Sequence, residues 1–473
     1  MHYGLFYLPS SLPTTRAEGS ERLRAVVEQA GYAEQLGFDS IWLAEHHFHS
    51  FGGLFSATPV IGAAIAQRTT RIRIGTAVIL LPYHNPLRVA EDYATLDCLS
   101  GGRLQFGIGH GFVTDYSSAM RYGLFYLPSS LPVTRTEGSE RLRAVVEQAG
   151  YAEQLGFDSI WLAEHHFHSF GGLFSATPVI GAAIAQRTAR IRIGTAVILL
   201  PYHNPLRIAE DYATLDCLSG GRLQFGIGHG FVKWEALTFG IPLDELRDRF
   251  RENLEVILKA WSEPILNHKG RFHEYHGVEV WPRPVQEPYP TVWMAATTSV
   301  ESFELSGRYG FNMMLIPFLN EVEELRHKMQ VYFSARQAAG FDPSTARVLG
   351  VYHMYVGENS AEARAAAAQG LAEYHSAASQ AHSLTPGMAD PDSYRSHERH
   401  RAQMKRLTFD ELVDQSRVLV GGVEEMRERV EYVRERLYLT DLAGNFALGG
   451  LTDDQARASM RRFIEQVAPK VQG

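Results

Sequence analysis

Cysteine is scarce in this sequence: 473 residues contain two, Cys98 and Cys217. That excludes a disulfide framework and fits a reducing compartment, so a cytoplasmic protein is expected. There is no basic excess either. Against 45 Lys and Arg stand 53 Asp and Glu, a formal net charge of −8 with no basic block to offset it, which argues against a nucleic-acid surface. No apolar run is long enough to span a bilayer as a helix. The N-terminus reads as a strand and not as a charged segment leading into an apolar one, so neither membrane insertion nor secretion is expected. With 45% hydrophobic and 21% charged residues, the chain can bury a large core and is not of disordered composition.

The chain carries one long stretch twice. Residues 120–232 repeat residues 1–113 at a constant offset of 119, and the two cysteines are one position of that repeat. Five positions differ: His2/Arg121, Thr14/Val133, Ala17/Thr136, Thr70/Ala189 and Val89/Ile208. So long a period excludes the short repeats of solenoids and propellers and points to a duplicated piece of a domain.

Within each copy the pattern is βαβαβαβ. In the first, apolar strands are expected at 3–8, 39–44, 72–80 and 104–109. Helices precede Gly37 and Gly101, and a third covers about 59–68. Near-continuous apolar strands of this kind belong in a parallel sheet buried on both faces. Beyond residue 232 the spacing predicts a helix over 243–261 and strands at 291–296, 312–317, 347–356 and 445–448. A mobile insertion or lid is expected at 376–408, an opening of the next helix at 418–422 and a closing helix at 452–467. The fold class is therefore α/β: a TIM (β/α)8 barrel over 120–473, preceded by a duplicated half-barrel segment and joint, 1–119. Only the second copy runs directly into the remaining strands.

Three stretches can carry chemistry. Glu164-His165-His166-Phe167 ends strand two, repeated as Glu45-His46-His47-Phe48; an imidazole at the C-terminal end of a barrel strand is placed for proton exchange, although two structural histidines explain it equally well. Metal binding is not expected, because neighbours on a strand point oppositely and no His-x-x-x-His is present. Gly226-Ile-Gly228-His229-Gly230 ends strand four; it lacks the spacing of a dinucleotide fingerprint, and a tight turn at the barrel rim accounts for its glycines. Thr297-Thr298-Ser299 precedes a helix, where it can serve as a phosphate cradle or as an ordinary N-cap.

In this order and spacing, several segments resemble the bacterial luciferase-like family of flavin-dependent monooxygenases. They are Glu164–Phe167, Ser169-Phe-Gly171, Ile193–Pro201, Asn204–Asp211, Ser219-Gly-Gly-Arg-Leu223 and Phe225–Gly228, and the likeness continues through Gly421–Glu425 to Phe463–Pro469. The resemblance implies reduced FMN across the C-terminal rim, supplied by a separate flavin reductase, with O2 and a small organic substrate reacting through a flavin C4a-peroxide. It implies His165 as the proton-handling group, with His166 its alternative. Thr195-Ala196-Val197 would pass beneath the flavin ring, where the family often has a non-proline cis peptide. Thr297, Thr298 and Ser299 would hold the phosphate, and His229 would stand where luciferases carry an arginine contacting the flavin. That departure, with Gly228 in place of a nearby cysteine, bears on light emission and flavin affinity. The resemblance further implies a homodimer. Two other readings stay open: an F420-dependent hydride-transfer enzyme on the same barrel, and a non-catalytic, flavin-binding or assembly-impaired duplicate.

Overall fold

The computed structural model describes residues 3–8, 13, 15–45, 53–55, 57–81, 86–109, 120–383 and 407–471. It divides into two compact units, Met1–Ser117 and Ser118–Gly473.

The second unit is a closed parallel barrel of eight strands with helices around it. They are β1 (Arg121–Tyr126), β2 (Ser159–Leu162), β3 (Arg192–Thr195), β4 (Leu223–Gly228), β5 (Thr291–Ala296), β6 (Asn312–Leu315), β7 (Val348–Val356) and β8 (Asp441–Asn445). Each pairs in parallel with the next, and β8 pairs back onto β1. Two side-chain layers follow. Phe125, Trp161, Trp293, Leu349 and Ala443 pack in one buried cluster; Ile160, Phe225, Met294 and Leu442 join the helices in another. Strands buried on both faces in this way are why β7 reads as a nearly unbroken apolar run.

Local signals fix the helices. Thr134 Oγ1 accepts from the Glu137 amide (3.1 Å) to start helix Arg135–Leu155, and Gly156, at φ 95°, ends it in a conformation that suits glycine. Asn204 caps helix Pro205–Ser219 through the Leu206 and Arg207 amides. The β1–β8 seam is latched at one end by Asp441. Its buried carboxylate receives Arg121 Nε at 2.9 Å and a second guanidinium from Arg347, the residue just before β7. Burial alone would raise its pKa, but the two arginines hold it below the ordinary value.

Several expected elements shift. The eighth strand is Asp441–Asn445, not 445–448: pairing with β7 and β1 selects the segment led by the latch aspartate over the more apolar Phe446–Leu448. Leu419–Gly421 is a short strand on β7, and the next helix starts at Val423. Residues 376–383 are not a loop; they continue helix Ser360–Ser383, which buries Ala377 and Ala381. Residues 384–406 of the expected lid lie outside the described residues. A hairpin, Leu266–Lys269 with Glu274–Val278, lies between helix Leu246–Ser262 and β5. The third strand stops at Thr195 and resumes as Ile198–Leu199, interrupted by a cis Ala196–Val197 peptide. The closing helix is Asp453–Arg462, followed by a π-helical turn, Phe463–Val467.

The first unit is a four-stranded parallel sheet, Gly4–Tyr7, Ser40–Leu43, Arg73–Thr76 and Leu104–Gln105, with helices Arg16–Gln35, Thr58–Arg68 and Pro86–Ser100. It has its own core, including Ile41, Phe55, Ile65, Ile74 and Leu96. Its polar anchors match those of the second copy. Thr58 and Tyr93 hydroxyls meet at 2.6 Å, as Thr177 and Tyr212 do at 2.7 Å. Arg103 donates to the Ile72 and Ala66 carbonyls, as Arg222 does to Ile191 and Ala185. His46 and His47 lie outside the described residues.

Candidate functional site

A cavity opens at the C-terminal ends of the barrel strands, where active sites of this architecture lie. It encloses about 1430 Å³ of empty space, open solvent at its mouth included.

The alternation expected for a strand divides the two histidines after β2. His166 turns to one side, where its Nε2 meets Glu164 Oε1 at 3.1 Å, and His203 Nε2 reaches the same oxygen at 2.6 Å. Burial raises the Glu164 pKa, but these hydrogen bonds outweigh it and hold it low. His166 packs on Phe239 and does not line the cavity. His165 turns the other way and lines it. Its Nδ1 lies 2.9 Å from Glu235 Oε1, which also accepts the His166 amide (2.9 Å) and meets His168 Nε2 (3.0 Å). With Nδ1 committed to a carboxylate, the His165 tautomer is set and Nε2 is the nitrogen left for chemistry. Burial pushes the Glu235 pKa up, while the His165 imidazole and the converging N–H groups more than offset it, leaving it at about 2. Each trio converges on one carboxylate oxygen at hydrogen-bond distance, and each also sets one carboxylate and two imidazoles within 4.8 Å of one another, close enough to hold a metal ion, which the sequence did not lead one to expect.

Glu235 has no motif to announce it in the sequence. It is buried on the short helix Lys233–Thr238, which the turn after β4 folds back onto the end of β2.

The remaining expected residues separate into two groups. Ala196, His229, Thr297 and Ser299 line the cavity; Thr195 and Thr298 are buried and do not. Thr195 is a strand clamp, its hydroxyl donating to the Gly226 carbonyl (2.7 Å) and accepting from the Gly226 amide (2.9 Å). His229 Nδ1 bonds the Gly230 carbonyl at 2.9 Å, and burial lowers its pKa, so it is neutral near pH 7. Ser299 is the N-cap residue of helix Val300–Arg308, but its hydroxyl makes no capping hydrogen bond. Instead Arg247 Nη2 reaches Ser299 Oγ at 3.5 Å, and Glu301 pairs with both Arg247 and Arg251. A helix N-terminus whose cap hydroxyl makes no capping bond and stands beside Arg247 suits an anion, which would compete with the Glu301 carboxylate for the guanidiniums. Arg247 is a second residue that sequence reading missed, one charged position among many on an amphipathic helix.

Away from that cradle the lining is aromatic: Phe125, Phe170, Phe231, Phe318 and Tyr374. His353, on β7, stands among them, with its ring 4.1 Å from that of Tyr374 and 5.4 Å from that of Phe318. Burial lowers its pKa to about 3, so it is uncharged in neutral solution. Asn445 Nδ2 donates to His353 Nδ1 at 3.4 Å, which leaves the proton on Nε2.

The family model for luciferase-like monooxygenases matches residues 1–115 and 120–440. The chain belongs to this family of oxidoreductases. Among its relatives, 4-hydroxyprotoasukamycin monooxygenase of Streptomyces nodosus subsp. asukaensis is 29% identical over 343 residues, 69% of this chain and 86% of that protein. The oxygenase component of a flavin-dependent trigonelline monooxygenase from Acinetobacter baylyi is 27% identical over 251 residues, 52% of this chain and 68% of that protein. The crystal structure of monooxygenase RslO1 from Streptomyces bottropensis superposes with a TM-score of 0.66 at 28% identity, covering 74% of this chain and 99% of that one.

Proposed function

We propose that the barrel binds reduced FMN and uses O2 to oxygenate a small apolar substrate. The observation that carries this reading is one cavity lined at one side by His165, fixed by Glu235, and at the other by Thr297 and Ser299 at the start of helix Val300–Arg308, with Arg247 behind Ser299. The residues fit the cofactor. Ser299, Arg247 and the first amides of helix Val300–Arg308 suit its phosphate, with Thr297 on the cavity wall beside them and Thr298 buried behind it. The backbone around Ala196, Gly228 and His229 offers a surface for the ring. Bound reduced flavin supplies the electrons that activate O2, one oxygen atom going to the substrate and the other to water.

The protein orients, excludes water and moves a proton. His165 Nε2 exchanges that proton at the reacting oxygen while Glu235 keeps the ring in place. At the other side the aromatic wall selects an apolar body, and neutral His353 donates from Nε2 to a substrate oxygen such as a carbonyl. His166 holds the Glu164 cluster behind the site and takes no direct part. The relative that is an oxygenase component supports a separate flavin reductase as partner. The active form is a homodimer in the cytoplasm.

Replacing Thr297 and Ser299 together by Ala tests the cradle: FMN should bind at least about tenfold more weakly while riboflavin binding is unchanged. Equal weakening of both ligands would remove the phosphate from this end. Oxygen uptake with reduced FMN, compared with reduced F420 under the same conditions, decides between oxygenation and hydride transfer; turnover with F420 alone would replace this reading.

A further inference from the structure

A closed barrel of this kind takes eight strands, and the first copy supplies four. Its outer strands, Gly4–Tyr7 and Leu104–Gln105, each have a single neighbour among the described residues. In the second copy the equivalent strands pair onward, β1 with β8 and β4 with β5. The face those partners close over is open in the first copy: Phe6 is 56% exposed where Phe125 is 6%, and Trp42 is half-buried where Trp161 is buried against Trp293. Neither outer strand contains a charged residue or a proline, the devices that commonly blunt a free edge.

Counting halves decides what can cover it. Each chain holds two N-terminal halves, 1–113 and 120–232, and one C-terminal half, 233–473. The second copy and the C-terminal half are joined directly and already close on each other. Residues 1–473 therefore leave one N-terminal half over, with no second C-terminal half among them. We infer that the first copies of two chains close on each other, making a second, two-fold-symmetric barrel of four plus four strands. A two-fold axis along the barrel sets the first strand of each half beside the fourth strand of the other, so that all eight run parallel. The contact is isologous: Phe6 and Trp42 of one protomer enter the same interior as those of its partner. Phe106 stays at the seam, because the helix Leu246–Ser262 that brings Trp261 onto Phe225 has no counterpart in the repeat. The inference does not depend on the flavin reading.

Sedimentation velocity of the full chain tests it, with Phe6→Glu to charge the interior and Val60→Glu, on the exposed side of helix Thr58–Arg68, as control. Phe6→Glu should reduce the mass of the sedimenting species at least twofold, while Val60→Glu leaves it unchanged. Reduced-FMN binding should be the same in all three, since the second copy is untouched. Amide hydrogen exchange gives an independent readout: the amides of Gly4–Tyr7 and Leu104–Gln105 that face away from their inner neighbour strand should be protected in the wild type and exchange freely in Phe6→Glu. An unchanged mass for Phe6→Glu overturns the inference. So does a monomeric wild type whose edge amides are protected, because the first copy would then be exchanging into the barrel of its own chain.

Discussion

Phe225 and Phe106 are the same residue of a repeated sequence, yet the first is fully buried and the second is 47% exposed. Phe225 sits between Tyr212 and Trp261, with ring centroids 5.1 and 4.9 Å away. Phe106 keeps the tyrosine, Tyr93 at 4.8 Å, and has no tryptophan, because the repeat ends before one is reached. The helix caps, the arginine anchors and the threonine–tyrosine pairs are reproduced in both copies. What differs is everything that needs a neighbour beyond the repeat: strand edges, the interior face, and the carboxylate that orients the histidine. Local sequence makes the half, and the other half makes the site.

Breaking that comparison takes its largest effect in the core. Phe225→Ala should cost the barrel about 3–5 kcal/mol through lost burial and a cavity, and Phe106→Ala about 1 kcal/mol or less. Chemical denaturation that resolves two transitions measures both; equal losses would mean that the first copy is packed like the second. The next effect is on turnover. His165→Ala should lower it on the order of 10²-fold or more, and His46→Ala should leave it unchanged, because nothing in the first copy corresponds to Glu235. A turnover that depends on His46 would place a working site in the first copy.

The third effect is on acid stability. The folded-state pKa of Glu235, about 2, lies below the ordinary 4.5, so its stabilising contribution is complete above pH 4.5 and is lost as pH falls toward 2. Glu235→Gln should therefore be less stable than wild type at pH 7, with the gap narrowing between pH 4.5 and 2, and only in the transition of the barrel. A gap that does not change with pH would show that the carboxylate is not held ionised.

Much of the fold is legible from the sequence because parallel barrel strands are buried on both faces, and β5 and β7 advertise this with nearly unbroken apolar runs. Strand eight hid for the opposite reason. Its first residue is the latch Asp441 and it ends in Gly444-Asn445, while the adjacent Phe446–Leu448 looks more like a strand. The helix through Ser383 was obscured by small and polar residues, and it persists because Ala377 and Ala381 are buried. In the site, the Glu-His-His segment stands out by its place at a strand end. Glu235, Arg247 and His353 do not, since each matters only through a partner brought in by the fold: His165, Ser299 and Asn445. No spacing rule along the chain encodes those meetings.

The latch has a consequence for which copy the C-terminal half selects. Asp441 is shared by Arg347 and Arg121, and position 121 is one of the five at which the copies differ; the first has His2 there. A histidine with a pKa near 6.5 is mostly neutral at pH 7, whereas an arginine is always charged. A first copy occupying the second copy's place would leave the buried carboxylate with one cation instead of two. A loss on the order of 1–3 kcal/mol at such a group means roughly a five- to 150-fold preference for the chain's second attempt over its first. His2→Arg should erase that preference, and turnover of the His165→Ala chain measures it: activity should rise as first copies, with His46 intact, gain the barrel. No rise would show that direct connection through residue 232 already decides the choice, so that the arginine only reinforces an assembly order written in the chain itself.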